Sequence, residues 1–214
     1  MIAKYIRCAV PAVNRVSFSK GQSLWQETAL SDGFISQQGG WERGTDKAII
    51  LARWADMKSV QDFMASAHDP IADKTRQVGT YTSISVSYLQ QVMQIPAFVA
   101  NIPKSAEGLQ TGYGFIRIAD CYIAPDKADD FILEQAIHWN PAMQQVEGML
   151  GVELWRFNDD VNHYLVISNW QSESHHYHYV SEHFPALKQQ AAHNIIQTIS
   201  DHRVLTEHSW HIAS

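Results

Sequence analysis

The sequence predicts an α+β fold made of two tandem βαββαβ domains. One pattern of residues occurs twice, at positions 31–64 and 145–180, so the two copies lie about 115 residues apart. Each copy also lies within a longer run of strand-like and helix-like segments that follow the same order. A repeat of this size indicates one duplicated supersecondary unit, with each copy burying a face against the other.

The two copies share landmarks in the same order. Each has an acidic residue and a glycine before a strand, an apolar strand that ends at a tryptophan, and an aromatic residue nine positions after that tryptophan. In the first copy these landmarks are Asp32-Gly33-Phe34, Trp54 and Phe63, and in the second they are Glu147-Gly148-Met149, Trp170 and Tyr179.

Copy one begins with a strand and a helix. Residues 2–10 alternate between two faces, which predicts a strand. One of these faces carries Ile2, Lys4, Ile6, Cys8 and Val10. An apolar stripe predicts an amphipathic helix over residues 14–30. The stripe consists of Phe18 and Trp25, with Val13, Val16 and Leu24 nearby.

A hairpin, a helix and a strand complete copy one. Residues 34–41 and 48–54 are predicted strands joined by a polar turn that contains glycine. A helix is predicted over 57–67 with Asp56 as its N-cap. Residues 80–89 are rich in β-branched and aromatic side chains, which favours a final strand.

Copy two repeats this order. Its predicted elements are a strand over 113–123, a helix over 125–139, strands over 149–157 and 163–170, a helix over 172–197 and a strand over 203–210. Pro141 disfavours the helical conformation of the preceding residue, so we expect a break at Asn140, which would cap a short extra turn. Residues 91–111 have no sustained period and are expected to connect domains at 1–90 and 112–214.

The order βαββαβ is that of the ferredoxin-like motif, an antiparallel sheet with both helices on one face. The other face of each sheet needs a cover. We therefore expect the two domains to pack sheet to sheet as an intrachain α+β barrel, which allows a monomeric pseudo-dimer as well as a homodimer.

Composition narrows the class of partner. The net charge is −6, and the 16 Lys and Arg residues form no basic run, which argues against a nucleic-acid partner. No apolar stretch approaches the roughly 20 residues of a membrane span, so we expect a cytoplasmic protein. Cys8 and Cys121 fall one in each copy, which indicates buried free thiols and not a disulfide framework.

At these residues the chain resembles the dimeric α+β barrel superfamily, in particular domains similar to antibiotic biosynthesis monooxygenases. The resemblance depends on the Gly-Phe or Gly-Met step before each hairpin, the strand ending in Trp54 or Trp170, and the second helix. The first copy is also similar to a group of small uncharacterised bacterial proteins with a Gly-Phe-X-X-Gln-X-Gly-Gly-Trp stretch and a His-Asp pair, here residues 33–41 and His68-Asp69.

The resemblance implies several functions. Members of the superfamily include cofactor-independent monooxygenases of phenols and quinols, haem-degrading and haem-dependent enzymes, and proteins without known activity, so fold does not settle function. Haem-degrading members use an Asn on the first strand and a Trp on the second helix. Here residues 4–8 and 116–120 contain no Asn, and Phe63 and Tyr179 occupy the Trp position. We therefore expect no cofactor, with haem as the alternative.

His68-Asp69 is the candidate catalytic pair. A histidine at the end of the second helix would lie over the space between helices and sheet, where imidazole could act as a general base toward a phenol or enol. The alternative is that His68 only caps the helix C-terminus and complements its dipole. His183 lies almost at the equivalent place in copy two and has the same two interpretations.

Copy one also contains residues suited to a flat organic ligand. Aromatic surface mixed with a few amides is typical of such pockets. The predicted lining residues are Gln37, Trp41 and Tyr81, with Cys8 and Phe63. For Trp41 the alternative is packing within the hairpin. Gly39-Gly40 lies inside a strand, where it suggests a bulge or close backbone approach.

The run His175-His176-Tyr177-His178 has two interpretations. A metal site needs three or four converging ligands, and on a helix only His175 and His178 of this run share a face. A partly exposed polar helix face is the prediction, and metal binding is the alternative.

Three functions remain open at this stage. The first is a cofactor-independent monooxygenase-like oxidoreductase that oxidises a small electron-rich aromatic compound, with His68 as base and Asp69 as its helper. The second is a non-catalytic protein that binds a small aromatic molecule. The third is a haem protein that uses a histidine of copy two. Because the copies differ at the glycines and at His68-Asp69, we expect only copy one to keep a competent pocket.

Overall fold

The computed structural model describes residues 1–97, 114–192 and 194–214. In the first half the elements are β1 (Ile2–Ala9), α1 (Arg15–Gln22), β2 (Phe34–Glu42), β3 (Lys47–Trp54), α2 (Met57–Ser66), α3 (His68–Thr75) and β4 (Ser83–Pro96). In the second half they are β5 (Phe115–Ile123), α4 (Ala128–Glu134), α5 (Asn140–Gln144), β6 (Met149–Phe157), β7 (His163–Trp170), α6 (Glu173–His178), α7 (Phe184–Gln190), β8 (Ile196–Thr206) and β9 (Ile212–Ala213).

The chain forms two compact units. Unit 1 comprises Met1–Gln90 and Val204–Ser214, and unit 2 comprises Gln91–Arg203. The sequence placed residues 204–214 in copy two, whereas in the structure Val204–Thr206 and Ile212–Ala213 pair with β2 and so belong to unit 1. Residues 91–96 of the predicted connection continue β4, and residues 98–111 lie outside the described part of the chain.

Each unit has the antiparallel sheet of the ferredoxin-like motif. The strand order is β4-β1-β3-β2 in unit 1 and β8-β5-β7-β6 in unit 2. The register repeats as well, because Ile2 pairs with Trp54 as Phe115 pairs with Trp170. The predicted α+β class with two ferredoxin-like units is therefore confirmed, whereas the packing of sheet on sheet stays a prediction.

The first helix of unit 1 is shorter than predicted. Only α1 and a 3₁₀ turn at Trp25–Leu30 replace the helix expected over 14–30. Val13 and Val16 are 89% and 82% exposed, while Phe18 is buried. The prediction that Phe18 faces the core is confirmed. Val13 and Val16 do not extend its apolar stripe, because α1 is only eight residues long.

The predicted break at Asn140 was wrong. Asn140 has helical dihedral angles (φ −69°, ψ −43°), and α4 continues into α5 through a π turn at Gln135–Trp139. The Asn140 amide donates to the Gln135 carbonyl, five residues back. This wider turn accommodates Pro141, which has no N–H to donate. A second π turn, Tyr179–His183, precedes Pro185 in the same way.

The second helix of copy two ends earlier than predicted. Its α segments stop at Gln190, where Ala191 is extended, and β8 begins at Ile196 and not at residue 203. Likewise, β4 begins at Ser83 and reaches Pro96. In the described part of the chain, no helix is long and apolar enough to cross a membrane.

Close backbone approach at the two strand glycines is confirmed. A Cβ on Gly39 would lie 2.5 Å from the Ile49 carbonyl oxygen, and one on Gly40 would lie 1.9 Å from the Leu205 carbonyl oxygen. Gly40 therefore allows β8 to approach β2. The equivalent residues of copy two are Leu154 and Trp155, so this requirement belongs to unit 1.

Substitution of Gly40 tests this contact. We expect Gly40→Ala to lower the free energy of unfolding by roughly 1–3 kcal/mol, since the added methyl overlaps backbone that cannot move alone. Gly44→Asn is the matched control, because a Cβ at Gly44 meets nothing within 4 Å and asparagine tolerates the left-handed φ of +72°. Chemical denaturation of both variants measures the difference, and equal stabilities would contradict the close approach.

Candidate functional site

A cavity of about 450 Å³ lies within unit 1 between the sheet and the helices. Its walls come from the four strands β1–β4, the helices α1–α3, the 3₁₀ turn at Trp25–Leu30 and the loop before β4. Among the residues that the sequence proposed for the site, those that line this cavity are His68, Asp69, Gln37, Tyr81, Cys8 and Phe63.

His68 lies at the junction of two helices, directly after the C-cap of one and at the first residue of the next. α2 ends at Ser66, and His68 is the first residue of α3, where Pro70 is tolerated in the first turn. The alternative that His68 complements the dipole of α2 stays a prediction, because His68 directly follows Ala67, the C-cap of that helix. The sequence predicted the end of the second helix here, and α2 does end at Ser66. It did not predict that α3 begins directly after Ala67.

His68 is held by a carboxylate and two aromatic rings. Its Nδ1 lies 2.7 Å from Oδ1 of Asp69, and its ring centroid lies 5.5 Å from that of Trp25 and 5.7 Å from that of Phe63. The carboxylate accepts a hydrogen bond, so it favours the tautomer with the proton on Nδ1 and a lone pair on Nε2. The arrangement can therefore take a proton from a ligand at Nε2.

Amide side chains form a fixed polar wall. Trp25 Nε1 donates to Gln77 Oε1 at 2.8 Å, and Gln77 Nε2 donates to the Phe18 carbonyl at 3.0 Å and to Gln22 Oε1 at 3.2 Å. Gln37 Nε2 donates to the Trp210 carbonyl at 3.3 Å. Because each donor has a partner within the protein, these residues shape the cavity with little freedom to rotate.

Sequence reasoning missed Lys4, which also lines the cavity. Its side chain extends from β1 and only 6% of the residue is exposed. Nζ donates to Sδ of Met64 at 3.2 Å and lies 5.8 Å from the ring centroid of Phe63. Burial lowers the pKa of this ammonium from its ordinary 10.5 to about 8. The signal was present, because Lys4 interrupts the apolar face of a strand.

Two further polar groups at the cavity lack partners. Thr28 Oγ1 and Trp54 Nε1 are buried, and neither has a hydrogen-bond partner within the described residues. Both residues line the cavity. A buried polar group without a partner is costly, so both atoms are candidates to bond a ligand or a water.

Cys8 contributes a neutral wall. Burial raises the pKa of its thiol to about 12, so the thiolate nucleophile is not populated near neutral pH. Cys121 is likewise buried and free, with the pKa of its thiol also raised to about 12, chiefly by burial. The prediction of buried free thiols is confirmed.

Trp41 is not in this cavity. It packs against Phe18 and Trp210, with ring centroids at 5.8 Å and 5.2 Å, and the guanidinium of Arg15 lies 4.4 Å above its ring. The predicted ligand contact for Trp41 is therefore corrected, because its ring packs on Phe18 of α1 and on Trp210, which both lie outside the hairpin. Trp41 packs on the core cluster that contains Phe18 and Trp210, whereas His68 contacts Trp25 and Phe63 of a second cluster.

The equivalent positions of unit 2 are filled differently. By register, Lys4 corresponds to Arg117, whose Nε lies 2.7 Å from Oδ1 of Asp201. Counting from the two tryptophans, His68 corresponds to Phe184. The His-Asp pair and the unpaired lysine are thus features of unit 1.

The histidine run of unit 2 is divided between core and surface. His176 is 5% exposed and its ring lies 5.1 Å from that of Phe115, whereas His178 is exposed. The predicted polar face is therefore wrong for His176, whose position corresponds to buried Val60 in unit 1. Within the described residues, no three His, Cys, Asp or Glu side chains are grouped as a metal site requires.

Burial lowers the pKa of His176 to about 4. The unfolded chain, with the ordinary value of 6.5, then binds more protons between pH 6.5 and 4, so stability is lost as the pH falls through this window. We expect wild type to lose roughly 2 kcal/mol between pH 7.5 and pH 5 at this group. His176→Val should remove this loss in denaturation at both pH values, and His178→Val should not; an unchanged pH dependence in His176→Val would contradict it.

Comparison with known proteins agrees with this architecture. Residues 2–89 match a domain of unknown function, DUF4937, and residues 114–190 match the antibiotic biosynthesis monooxygenase domain. The chain is 32% identical over 94 residues to the uncharacterized protein YdbC of Bacillus subtilis, which covers 42% of this chain and 79% of YdbC.

Solved structures share the fold across both halves. A protein of Lactobacillus acidophilus assigned as a monooxygenase superposes with a TM-score of 0.73 at 11% identity, covering 99% of this chain and 95% of that one. An anthrone oxidase-like protein superposes with a TM-score of 0.69 at 10% identity, covering 96% and 91%. The chain therefore belongs to the family of YdbC, and it carries a DUF4937 domain followed by a monooxygenase-like domain of the antibiotic biosynthesis type.

Proposed function

We propose that this protein is a cofactor-independent monooxygenase-like oxidoreductase of the cytoplasm that oxidises a small electron-rich phenol or quinol in the cavity of unit 1. The observation that carries the proposal is the His68–Asp69 pair at the edge of an aromatic cavity. A cavity of about 450 Å³ lies within the usual range for small organic ligands.

The proposed reaction needs a base, an aromatic substrate and O2. His68 Nε2 removes a proton from a phenol or from the CH2 group of its keto tautomer, and Asp69 stabilises the imidazolium that forms. The anion transfers one electron to O2, and the substrate radical and superoxide combine to form a C–O bond. The peroxide anion takes the proton back from the His68 imidazolium, and the resulting hydroperoxide loses water, leaving a carbonyl. In total the CH2 carbon loses four electrons, and O2 gains them as carbonyl oxygen and water.

The remaining lining residues hold the substrate in this proposal. Phe63 and Trp25 both contact the ring of His68, and Tyr81 contacts Phe18 edge-on at 6.4 Å. Gln37 and the neutral thiol of Cys8 complete the wall. Excluding water here would protect the radical pair from side reactions.

A non-catalytic binding protein is the second candidate. The observation that favours it is the 86% exposure of the Asp69 side chain, since a carboxylate in water stabilises an imidazolium less than a buried one does. The cavity would then recognise an aromatic ligand without turnover.

Oxygen uptake distinguishes the candidates. We expect the purified protein to consume one O2 for each anthrone converted to anthraquinone, or to oxidise a hydroquinone. Dialysis against a chelator should leave the rate unchanged, because the proposed chemistry uses no metal. Saturable binding without oxygen uptake would favour the binding protein, and a Soret band after titration with hemin would favour the haem alternative.

A further inference from the structure

The cavity of unit 1 contains a positive charge that no carboxylate of the described residues neutralises. In the part of the chain that the structure describes, Lys4 Nζ contacts Sδ of Met64 and the face of Phe63, and no carboxylate lies within ion-pairing distance of it. A buried ammonium is normally paired, because transfer of an unpaired charge out of water is costly.

The repeat provides an internal comparison. Arg117 occupies the position of Lys4 in unit 2, and its guanidinium is paired with the carboxylate of Asp201 at 2.7 Å. The same strand position thus has a carboxylate partner from the protein in one unit and lines the cavity in the other.

Other groups around the cavity favour an anion. Thr28 Oγ1 and Trp54 Nε1 are buried and have no hydrogen-bond partner in residues 1–97, 114–192 and 194–214, and both can donate a hydrogen bond. The ionisable lining residues are Lys4 and Cys8 of β1, His68, Asp69 and Asp73 of α3, and Tyr81. Asp69 and Asp73 are exposed, and Asp69 is hydrogen-bonded to His68, so neither carboxylate is placed to neutralise the buried end of the cavity.

Lys4 and His68 contact the same ring. The ammonium lies 5.8 Å from the centroid of Phe63, and the imidazole ring of His68 lies 5.7 Å from it. A ligand packed beside Phe63 is therefore within reach of both a proton acceptor and a cation.

We propose that the cavity binds its ligand as an aromatic oxyanion, a phenolate or enolate, and that the Lys4 ammonium is the countercharge. The inference rests on the proposed function in placing the substrate in this cavity, but it concerns binding and not oxidation. It names the substrate class as compounds with an acidic phenol or enol, and it assigns Lys4 as a binding residue.

The test uses 4-nitrophenol, whose phenolate is coloured, and 4-nitroanisole, its methyl ether, which cannot ionise. We expect wild type to bind the phenolate more tightly than the ether and to lower the pKa of bound nitrophenol, measured by absorbance titration. Lys4→Met should weaken phenolate binding by roughly 10- to 100-fold, the usual worth of a charge-assisted hydrogen bond, and leave ether binding unchanged.

Controls keep the result specific. Lys58→Met removes an exposed lysine of α2 that is paired with Asp62, and it should bind like wild type. The unfolding transition of Lys4→Met shows whether that variant folds, and the pKa of nitrophenol bound to wild type tests the countercharge without any variant. Equal affinity of Lys4→Met and wild type for the phenolate, or no preference of wild type for phenolate over ether, would overturn the proposal.

Failure of this proposal and failure of the proposed function are distinguishable. His68→Ala should still bind nitrophenolate, because the probe is already ionised. Binding that depends on Lys4 without oxygen uptake would support the oxyanion site and refute the monooxygenase. Oxygen uptake that is insensitive to Lys4→Met, together with equal binding of phenolate and ether, would support the monooxygenase and refute the oxyanion site.

Discussion

Replacement of His68 by alanine is expected to lower turnover of a phenolic substrate by 100-fold or more, the usual worth of a positioned general base. Stability should change by only about 1 kcal/mol, because the side chain is partly exposed and loses mainly its ring contacts with Trp25 and Phe63. Oxygen uptake and chemical denaturation of the same preparation measure both effects.

Three comparisons make this result interpretable. His183→Ala changes the exposed histidine at the nearly equivalent place in unit 2 and should leave turnover unchanged. Asp69→Asn should cause a smaller loss than His68→Ala, since it weakens only the partner of Nδ1. A substrate that is already ionised should partly rescue His68→Ala. A variant that loses several kcal/mol of stability and keeps its turnover would show that His68 is structural.

The sequence predicted most of the fold because the fold depends on periodicity. The hairpins β2–β3 and β6–β7 were placed within a residue or two, since a polar turn followed by an apolar run that ends at a tryptophan marks each of them locally. Asp56 was correctly identified as an N-cap, and its Oδ1 accepts from the Ser59 amide at 2.8 Å. Both copies even share a register shift, at Phe34/Ser36 and Met149/Gly151.

What the sequence could not predict depends on contacts between distant residues. The pairing of Val204–Thr206 with Gly40–Glu42 joins segments far apart in the chain. Chain order alone assigned residues 204–214 to copy two, and this assignment was wrong. The π turns before Pro141 and Pro185 were not predicted. The steric effect of proline on the preceding residue predicts a helix break there, but it does not predict that a wider turn can keep the helix continuous.

The candidate site shows the same division. Six of the seven proposed residues line one cavity, because helix and strand periods place them on the faces between sheet and helices. The prediction for Trp41 was wrong, because a tryptophan can either line a ligand cavity or pack in the core. The sequence alone does not distinguish these two environments. Lys4 was passed over because a single lysine in an alternating strand is usually on the solvent face.

Lys4→Met is expected to stabilise the protein, which is the opposite of the usual effect of a substitution at a buried site. The pKa of Lys4 is about 8 in the folded chain and has its ordinary value of 10.5 in the unfolded chain. Between these values the unfolded chain binds more protons, so wild-type stability rises with pH across that window. Below pH 8 the full cost of the buried charge remains, roughly 3 kcal/mol.

Methionine has a similar length and no charge, so the variant should gain about 1–4 kcal/mol in its free energy of unfolding at pH 7. This gain should shrink as the pH rises from 8 toward 10.5, because wild type then buries a neutral amine. Denaturation at pH 7 and pH 10 measures both values, with Lys58→Met as the exposed control. A gain in stability would show that the fold does not need the Lys4 charge, as expected if the charge serves ligand binding, whereas an equal or lower stability of Lys4→Met at pH 7 would show that Lys4 is already accommodated by the fold.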